Sequence, residues 1–353
     1  MTEQTKTNRI ATKLKNSTSV RMLIIGFLIL VLMIPLAFIK DLIRERKYRQ
    51  SDTVQEINKK WGEEIILYGP ILKLPYTTYS ETLVKDDKTG KTQTITEKFT
   101  KCVYFFPNEL DISGDIKTIK KHLGMYTTPV YNTKLNIKGS FTPLDIGHFE
   151  IMSKDVQWDK AKILMKTTNI KGINNEIMIN FGDKSLLFES NFENYTQNDN
   201  IKHLQTHTLE TKGFNAKELF AEKISFDMIF EASGSEKLQI IPIGKETNLK
   251  LTSDWKSPNF TGEYSPYNED AITDNGFNAK WKVLQMNRPF SQQFKRIPNI
   301  DDYAFGVDFI IPIDNFQQNE RSAKYGYLMI SLTFLLFFLI QTLSKINIHI
   351  LLI

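Results

Sequence analysis

The sequence predicts a membrane-anchored, β-dominated protein in which an antiparallel, sandwich-like domain lies between two transmembrane helices. Three observations lead to this fold class. Uncharged apolar runs of membrane-spanning length lie towards both ends of the 353-residue chain, at residues 22–39 and 325–344. Between them, apolar and polar residues alternate as they do in half-buried strands. Clusters of turn-forming residues interrupt this alternation at short intervals, which is typical of a sandwich or barrel.

The first apolar run, "MLIIGFLILVLMIPLAFI", follows a tail of residues 1–21 that carries five Lys or Arg residues and one acid. The run is longer than the apolar region of a cleaved signal peptide, and no small-residue cleavage site follows it. We therefore expect an uncleaved signal anchor. The basic tail favours a cytoplasmic N-terminus. However, "KDLIRERKYR" after the run holds equally many basic residues, so charge alone leaves the orientation open.

Residues 40–62 are expected to continue the first span as a juxtamembrane helix. The stretch "KDLIRERKYRQSDTVQEINKKW" lacks Gly and Pro, is rich in helix formers, and places Val54, Ile57 and Trp61 on one face. Gly62 is the natural residue to end this helix. Gly69 and Pro70 then follow, and they are expected to make a tight turn that directs the first strand into the sheet.

Residues 63–324 are expected to form a β-rich domain, as one large unit or two smaller ones. In "KISFDMIFEA" and "GFNAKWKVLQ", every second residue is apolar, and "TKLNIKGSF" has the same pattern. Turn signals such as "DDKTG", "FGDKS" and "ASGSEK" separate such runs. Short helices are also compatible with "DIKTIKKHLG" and "NAKELFAEK". The pattern therefore predicts a β-dominated domain with little helix.

The second apolar run, residues 325–344, is uncharged and long enough to cross a bilayer, and two tyrosines lie at its start, where a membrane interface favours them. After Lys345 a new apolar run begins, and the given sequence stops eight residues later. As a helix, those eight residues would span only about 12 Å. We expect residues 345–353 to be the stub of a further membrane helix.

The charge distribution argues against nucleic-acid binding. Of the 45 Lys and Arg residues, five precede the first span and one follows the second, whereas one of the 40 acids lies outside the region between them. The middle region is therefore electrically neutral, and the basic character of the chain comes from its ends. A nucleic-acid binder would carry a basic surface on the folded domain.

Three short motifs resemble those of penicillin-binding enzymes: Lys88-Thr89-Gly90, Ser253-x-x-Lys256 and Ser257-x-Asn259. That chemistry needs the Ser and Lys one turn apart on a helix, with the Lys-Thr-Gly motif on a later strand. Here the order is reversed, and Ser253 lies in a strand-like stretch beside Pro258. We therefore assign no catalytic residues.

A metal site is also not expected. His203 and His207 are four residues apart and would share a face, but only Glu210 is near enough in sequence to act as a third ligand. Two surface histidines are the favoured interpretation. The single cysteine, Cys102, lies among strand-like apolar residues and is interpreted as a small core residue rather than a reactive thiol. No metal or cofactor site is assigned.

One long segment, "IPLAFIKDLIRERKYRQSDTVQEINKKWGEEIILYGPILKLPY", resembles the N-terminal signature of the CreD family of bacterial inner-membrane proteins. Further matches follow in family order, and together they cover most of the chain from residue 31 onward. They are "FFPNELDISGDI", "GMYTTPVYNTKLNIKGSF", "IPIGKETNLKLTSDWKSPNFTGEYSP", "FNAKWKVLQMNRPF" and "FGVDFIIPIDNFQQNERSAKYGYLMISLTFLLFFLIQ".

The resemblance implies a role in cell-envelope integrity in Gram-negative bacteria, with a large periplasmic domain and a multi-pass inner-membrane location. It implies no enzymatic activity. Members of the family look like a signal anchor, a periplasmic domain and a bundle of several further helices, of which this sequence would contain only the first and the expected stub. The resemblance also favours a periplasmic domain where charge alone leaves the orientation open.

These observations together favour a non-enzymatic protein of envelope maintenance that acts by binding or by mechanical coupling. The expected partners are the lipid bilayer and an unidentified membrane or periplasmic protein. Two other interpretations stay open: an accessory subunit of an envelope transport or assembly complex, and, with less support, a cell-wall hydrolase or transferase. A subunit should co-purify with a membrane partner, whereas a hydrolase should lose its function when Ser253 or Lys256 becomes Ala.

The orientation can be tested with a protease added outside spheroplasts. Because long domains are translocated largely regardless of their charge, we expect cleavage within residues 51–314 and survival of the N-terminal tail. The fragments would be detected with tags at either end of the chain. Complete protection of the middle region would contradict the proposed orientation.

Overall fold

The computed structural model describes residues 18–85, 92–124, 126–191, 206–309 and 315–344. These residues belong to two compact units. One unit comprises Met1–Thr53 together with Pro312–Ile353, and the other comprises Val54–Ile311. The first contains helical segments, and the second contains all the strands of the described residues. The N-terminal tail and the expected stub at residues 345–353 lie outside the described residues, apart from the tail's last four.

Helix α1 is Thr18–Trp61 and helix α2 is Asn315–Ser344. Residues 22–39 and 40–61 thus belong to one continuous helix. Within the described residues, Gly26–Trp61 is the helical stretch that is long and apolar enough to cross a membrane, judged by length and composition alone. The apolar stretch of α2, Lys324–Ile340, is shorter and falls below the length that this criterion requires. A second membrane crossing by α2 therefore stays a prediction.

The two helices touch at a glycine. A Cβ atom placed on Gly326 of α2 would lie 3.0 Å from Cδ1 of Leu36 in α1, so the small residue permits this close approach. Elsewhere, the apolar side chains Phe27, Phe38 and Leu328 are exposed. Exposed apolar side chains around a helix are what a lipid environment accommodates.

Sixteen strands are found in the described residues, and they give the domain its β-dominated character. They are β1 (Ile65–Lys85), β2 (Thr92–Phe105), β3 (Glu109–Leu123), β4 (Tyr126–Phe141), β5 (Lys162–Thr167), β6 (Met178–Phe181), β7 (Lys184–Ser190), β8 (His207–Thr211), β9 (Ile224–Ser235), β10 (Lys237–Ile240), β11 (Glu246–Ser253), β12 (Pro258–Gly262), β13 (Ile272–Thr273), β14 (Gly276–Leu284), β15 (Gln293–Phe294) and β16 (Phe305–Phe309). The predicted fold class, β-dominated with an apolar N-terminal helix, is confirmed.

The strands form one hydrogen-bonded path in the order β12-β16-β10-β1-β5-β8-β7-β6-β9-β4-β3-β11-β14-β13, with β2 beside β1 and β15 beside β2. The sequence predicted an antiparallel arrangement, and most pairs are antiparallel, but the sheet is mixed: β1 runs parallel to β10, and β3 runs parallel to β11. The parallel pairing of β1 with β10 arises because the chain moves from one part of the sheet to another between β9 and β10. Only Glu236, with a φ of 61°, separates β9 from β10, so the chain passes directly from a strand beside β4 to one beside β1.

The core contains apolar residues from both ends of this path. In β14 the predicted alternation is confirmed, because Phe277, Trp281 and their apolar neighbours are buried. Trp281 packs against Phe260 of β12 with ring centroids 5.5 Å apart and against Phe305 of β16 at 5.9 Å. Phe309 of β16 packs against Tyr131 of β4 at 4.8 Å. Strands far apart in the path are therefore brought together by aromatic side chains.

Local expectations failed in three places. The segment "DIKTIKKHLG" lies in β3 and the turn that follows, because β3 pairs along its whole length with β4. The segment "NAKELFAEK" forms turns rather than a helix. Gly69 and Pro70 lie inside β1, where the pairing with β5 shifts register between Tyr68 and Ile71. The residues interpreted as a turn thus make an irregularity in a strand.

Gly62, directly after α1, has a φ of 150°. A Cβ atom there would collide with the carbonyl oxygen of Ser233 and lie 2.9 Å from Nδ2 of Asn169. We expect Gly62→Ala to lower the free energy of unfolding by about 2 kcal/mol or more, because both the backbone conformation and the contact disfavour a side chain. Thermal unfolding of the purified full chain in detergent measures this effect.

The matched control is Gly147→Ala. A Cβ atom at Gly147 meets Oδ1 of Asp145 at 3.4 Å, an ordinary contact, so this variant should unfold close to the temperature of the unaltered protein. Equal unfolding temperatures for the two variants would contradict the role given to Gly62.

Candidate functional site

The last turns of α1 enter the β-rich domain and are fixed there by side-chain contacts. Asn58 is buried, and its Nδ2 donates a hydrogen bond to Oε1 of Glu236 at 2.6 Å. Nε1 of Trp61 donates to the carbonyl oxygen of Tyr131 at 3.5 Å, and Nζ of Lys121 lies 4.2 Å from the centroid of the Trp61 ring. The helix end is therefore held by two neighbouring hairpin strands and by the link between β9 and β10.

The backbone carbonyl groups of the two residues after the helix, Gly62 and Glu63, also accept hydrogen bonds from the β-rich domain. Oγ of Ser235 donates to the carbonyl oxygen of Gly62 at 2.7 Å. The carbonyl oxygen of Glu63 accepts from the backbone N–H of Ser235 at 3.2 Å and from Nδ2 of Asn169 at 3.2 Å. The same Asn169 amide also donates to Ser233. We call Asn58, Trp61, Gly62, Glu63, Asn169, Ser235 and Glu236 the helix socket.

Thr168 links the socket to the first strand. Its Oγ1 donates to the carbonyl oxygen of Glu64 at 2.6 Å and accepts from the N–H of Ile66 at 2.9 Å. A single hydroxyl thus bridges two backbone groups at the point where helix gives way to strand. Because buried backbone groups without partners are costly, these bonds fix the path of residues 62–66.

Glu236 gives the socket a titratable group. Partial burial raises the pKa of its carboxyl above the usual range, and the nearby Glu64 and Asp308 raise it further. Lys237 and the hydrogen bond from Asn58 act in the opposite direction. A raised pKa means that the stability linked to Glu236 is greatest at low pH and falls as the pH rises through that pKa.

A concave polar surface lies on the outer face of the sheet. Ser113 of β3 pairs with Asn136 of β4 and with Lys250 of β11, and Lys250 pairs with Lys280 of β14. These residues help line a cavity of about 540 Å³. We call this surface the lysine face. Its polar and charged lining consists of Asp111, Ser113, Asn136, Lys138, Asn248, Lys250, Tyr267 and Lys280.

The charges of the lysine face are unequal. Asp111 accepts a hydrogen bond from Nδ2 of Asn248 at 2.8 Å. Lys138, Lys250 and Lys280 form no ion pair with an acid in the described parts of the chain. Three ammonium groups around one concavity favour an anionic or carbonyl-rich ligand.

A buried carboxylate, Glu210 of β8, lies between two lysines. It accepts from Nζ of Lys73 at 3.1 Å and from Nζ of Lys162 at 2.9 Å, and its side chain is only 4% exposed. Burial alone would raise its pKa, but these two lysines hold the pKa below the usual carboxyl range. Glu210 is therefore an ion-pair partner inside the sheet rather than the metal ligand considered from its spacing.

Cys102 lies near the same ion pairs. It is half-buried on β2, and burial raises the pKa of its thiol, while Lys73 lowers it in part. A raised pKa keeps the group as the unreactive thiol at neutral pH. Cys102 lies in a strand, as expected, but it is half-buried rather than a core residue.

Arg288 is a buried cation that sequence reasoning did not single out. Its guanidinium donates to the carbonyl oxygens of Phe290 at 2.8 Å and Gly244 at 3.0 Å, and it also bonds Gln292. Burial lowers its pKa to about 10. Because its acceptors are carbonyl groups of two adjacent loops, Arg288 fixes loop positions rather than a substrate.

Among the described residues, Ser253, Lys256, Ser257 and Asn259 do not form the arrangement that the enzyme motifs require. Ser253 ends β11, and its Oγ accepts from the backbone N–H of Trp255 at 3.2 Å. The carbonyl oxygen of Ser257 accepts from Nε1 of Trp255, and Asn259 lies in β12. Ser253 and Lys256 therefore share no helix. Residues 88–90 lie outside the described residues.

Of the two histidines considered for a metal, His203 lies outside the described residues and His207 begins β8. In the described ranges, no group of three or more His, Cys, Asp or Glu side chains is placed to hold a metal ion. The socket residues Asn169 and Ser235 were also missed from sequence, because isolated Asn and Ser residues carry no local signal.

These features define a class: a protein in which an apolar helix, long enough to cross a membrane, continues without interruption into a β-rich domain. The chain belongs to the CreD family, because the family model described as "Inner membrane protein CreD" matches residues 17–352. The Inner membrane protein CreD of Escherichia coli (strain K12) is 25% identical over 330 residues, which covers 91% of this chain and 68% of that protein. No solved structure matches the chain.

Replacing Glu210 tests the buried ion pairs. We expect Glu210→Gln to lower the free energy of unfolding by about 2 kcal/mol at pH 7, because it leaves two lysines without their carboxylate. The control is Glu189→Gln, whose exposed pair with Lys212 at 3.2 Å should contribute about 0.5 kcal/mol or less. Chemical denaturation of the full chain in detergent gives both values.

The difference in free energy of unfolding between the unaltered protein and Glu210→Gln should depend on pH. A carboxyl whose pKa is lowered by folding stabilises the protein above the ordinary value of 4.5, and that contribution is lost as the pH falls through the folded pKa. The difference between the unaltered protein and Glu210→Gln should therefore shrink as the pH falls below 4.5 and through the lowered pKa of Glu210. A constant difference would contradict the ionised pair.

Proposed function

We propose that this protein is a non-enzymatic inner-membrane protein of cell-envelope integrity, in which α1 couples events in the membrane to the β-rich domain. Family membership supports the membrane location and, where charge alone leaves the orientation open, favours a periplasmic position for the domain. In this proposal α2 carries the chain back through the membrane, which makes the protein multi-pass. The family name is not the name of an enzyme.

The observation that carries the coupling proposal is the continuity of α1 into the helix socket. From residue 40 to Trp61 the helix contains neither Gly nor Pro, and it extends about 33 Å beyond the predicted span. At its end, Asn58 and Trp61 are bonded to the domain, and Gly62 and Glu63 are bonded through their carbonyl groups. In this proposal the unbroken helix passes rotation or tilt on to the domain, whereas a flexible linker would absorb it.

The lysine face supports a second candidate function, in which the domain binds a ligand and α1 is only a tether. The three lysines around the 540 Å³ concavity favour an anionic envelope component. A role as accessory subunit of an envelope transport or assembly complex is the alternative, and exposed apolar residues on α2, such as Leu332 and Leu336, would suit a protein partner in the bilayer.

Two insertions between Arg49 and Gln50 distinguish coupling from tethering. One adds seven Gly and Ser residues, and the other adds seven Ala, Glu and Lys residues that continue the helix. Both add the same number of residues, and both leave the socket and the predicted span intact. We expect the helical insertion to support growth on detergent in cells that lack their own family member, and the flexible insertion to fail.

Thermal unfolding and membrane fractionation would verify that both variants fold and insert. Growth with the flexible insertion equal to that with the helical one would contradict coupling and favour the tethered binding domain. Failure of variants of Lys138, Lys250 and Lys280 to support growth on detergent would then identify the lysine face as the functional surface.

A further inference from the structure

The β1–β2 hairpin projects beyond the rest of the sheet. Residues 77–85 of β1 pair with residues 92–100 of β2, and neither stretch pairs with any other strand in the described chain. Gln157 bonds the base of this ribbon at Thr77 and Thr100, and the hydroxyl of Tyr79 donates to Oδ1 of Asp155 at 3.2 Å. An isolated two-stranded ribbon is marginally stable in water, so its length calls for an additional partner.

The outer edge of β2 is already used for strand pairing at its base. β15 pairs with β2 at Tyr104 and Phe105, and the N–H of Phe106 donates to the carbonyl oxygen of Gln292 at 2.8 Å. Peptide groups alternate in direction along a strand, and the pairing of β1 with β2 shows no register shift. The N–H and C=O groups of Thr96, Lys98 and Thr100 therefore point to the same edge, beyond β15.

The exposed side chains near this edge of β2 would be complementary in charge to the same side chains of a second copy of the chain. Glu97, Phe99 and Lys101 lie on one face of β2, and Phe99 is 47% exposed. In an antiparallel pair of identical strands about a two-fold axis at Phe99, Glu97 of each copy lies opposite Lys101 of the other. The two Phe99 rings meet at the axis, and Lys98 faces Thr100 in a hydrogen-bonded pair.

We propose that two copies of this chain associate through the outer edges of β2, with Phe99 on the two-fold axis. Axes at Glu97, Lys98 or Lys101 would place like charges opposite each other, which disfavours those registers. Neither Glu97 nor Lys101 has an ion-pair partner in the described parts of the chain. The pairing adds one antiparallel ladder and turns two isolated ribbons into a four-stranded sheet.

The interface is small, and membrane attachment compensates for its size. About seven residue pairs form the ladder, which is at the low end of specific interfaces. Two chains anchored in one bilayer meet at a high effective concentration, so a weak interface can still be populated. This step rests on the proposed membrane anchoring, whereas the register rests on the edge of β2 alone.

Single-cysteine cross-linking in membranes tests the register. In a Cys102→Ser background of the full chain, Phe99→Cys places two thiols in a non-hydrogen-bonded antiparallel pair, where Cα atoms lie about 4.5 Å apart and a disulfide can form. The matched control is Thr78→Cys, which pairs with residue 99 on β1. Its two copies would lie about 14 Å apart, three strand spacings. With copper phenanthroline as oxidant, we expect dimer formation at least fivefold faster for Phe99→Cys.

Charge reversal provides the second arm, with Phe99 intact. Glu97→Lys and Lys101→Glu should each lower the dimer fraction at least fivefold, as counted by single-molecule photobleaching in vesicles, and the double variant should restore it to within twofold. Similar cross-linking at positions 78 and 99, or no restoration in the double variant, would overturn the proposal. If the chain is anchored in the membrane and gives one of these two results, the dimer is rejected. The proposed coupling function is not affected by that outcome.

Discussion

Backbone hydrogen bonding at the end of α1 is the constraint on which the rest of the structure depends. A helix leaves its last carbonyl groups without internal partners, and a strand that follows at once adds further unpaired groups. Here Ser235 and Asn169 supply donors to Gly62 and Glu63. These donors come from the end of β9 and from the loop after β5, so the helix can end in this place only when distant parts of the domain are already assembled around it.

The same requirement explains why β9 ends where it does. Ser235 is its last residue, and Glu236 turns the chain with a φ of 61° so that β10 begins beside β1. One residue thus presents a carboxylate to Asn58 and redirects the sheet. The aromatic cluster around Trp281 then holds β14 against β12 and β16, which lie near the other end of the strand path. The helix socket and the aromatic core therefore depend on the same strand order.

Sequence reasoning succeeded where the signal was local. Alternation in β14 and β9 identified buried residues such as Trp281 and Phe230, and the run from residue 40 to Trp61 identified a helix ended by Gly62. It failed where the outcome depends on distant partners. The end of β3 has a helix-like composition, yet pairing with β4 makes it a strand. The parallel pairs and the socket residues Asn169 and Ser235 have no local pattern, because their roles come from contacts with residues far away in the chain.

The parallel pairing of β1 with β10 affects how the chain folds during its synthesis. Ile65 pairs with Leu238, so the first strand made during synthesis waits for one of the later strands before its edge is covered. Contacts of such long sequence separation slow folding, because the loop must close before the pairing is gained. The domain therefore completes its fold only after most of it has left the ribosome. Until then, the open strand edges that later become its interior are what a chaperone would have to cover.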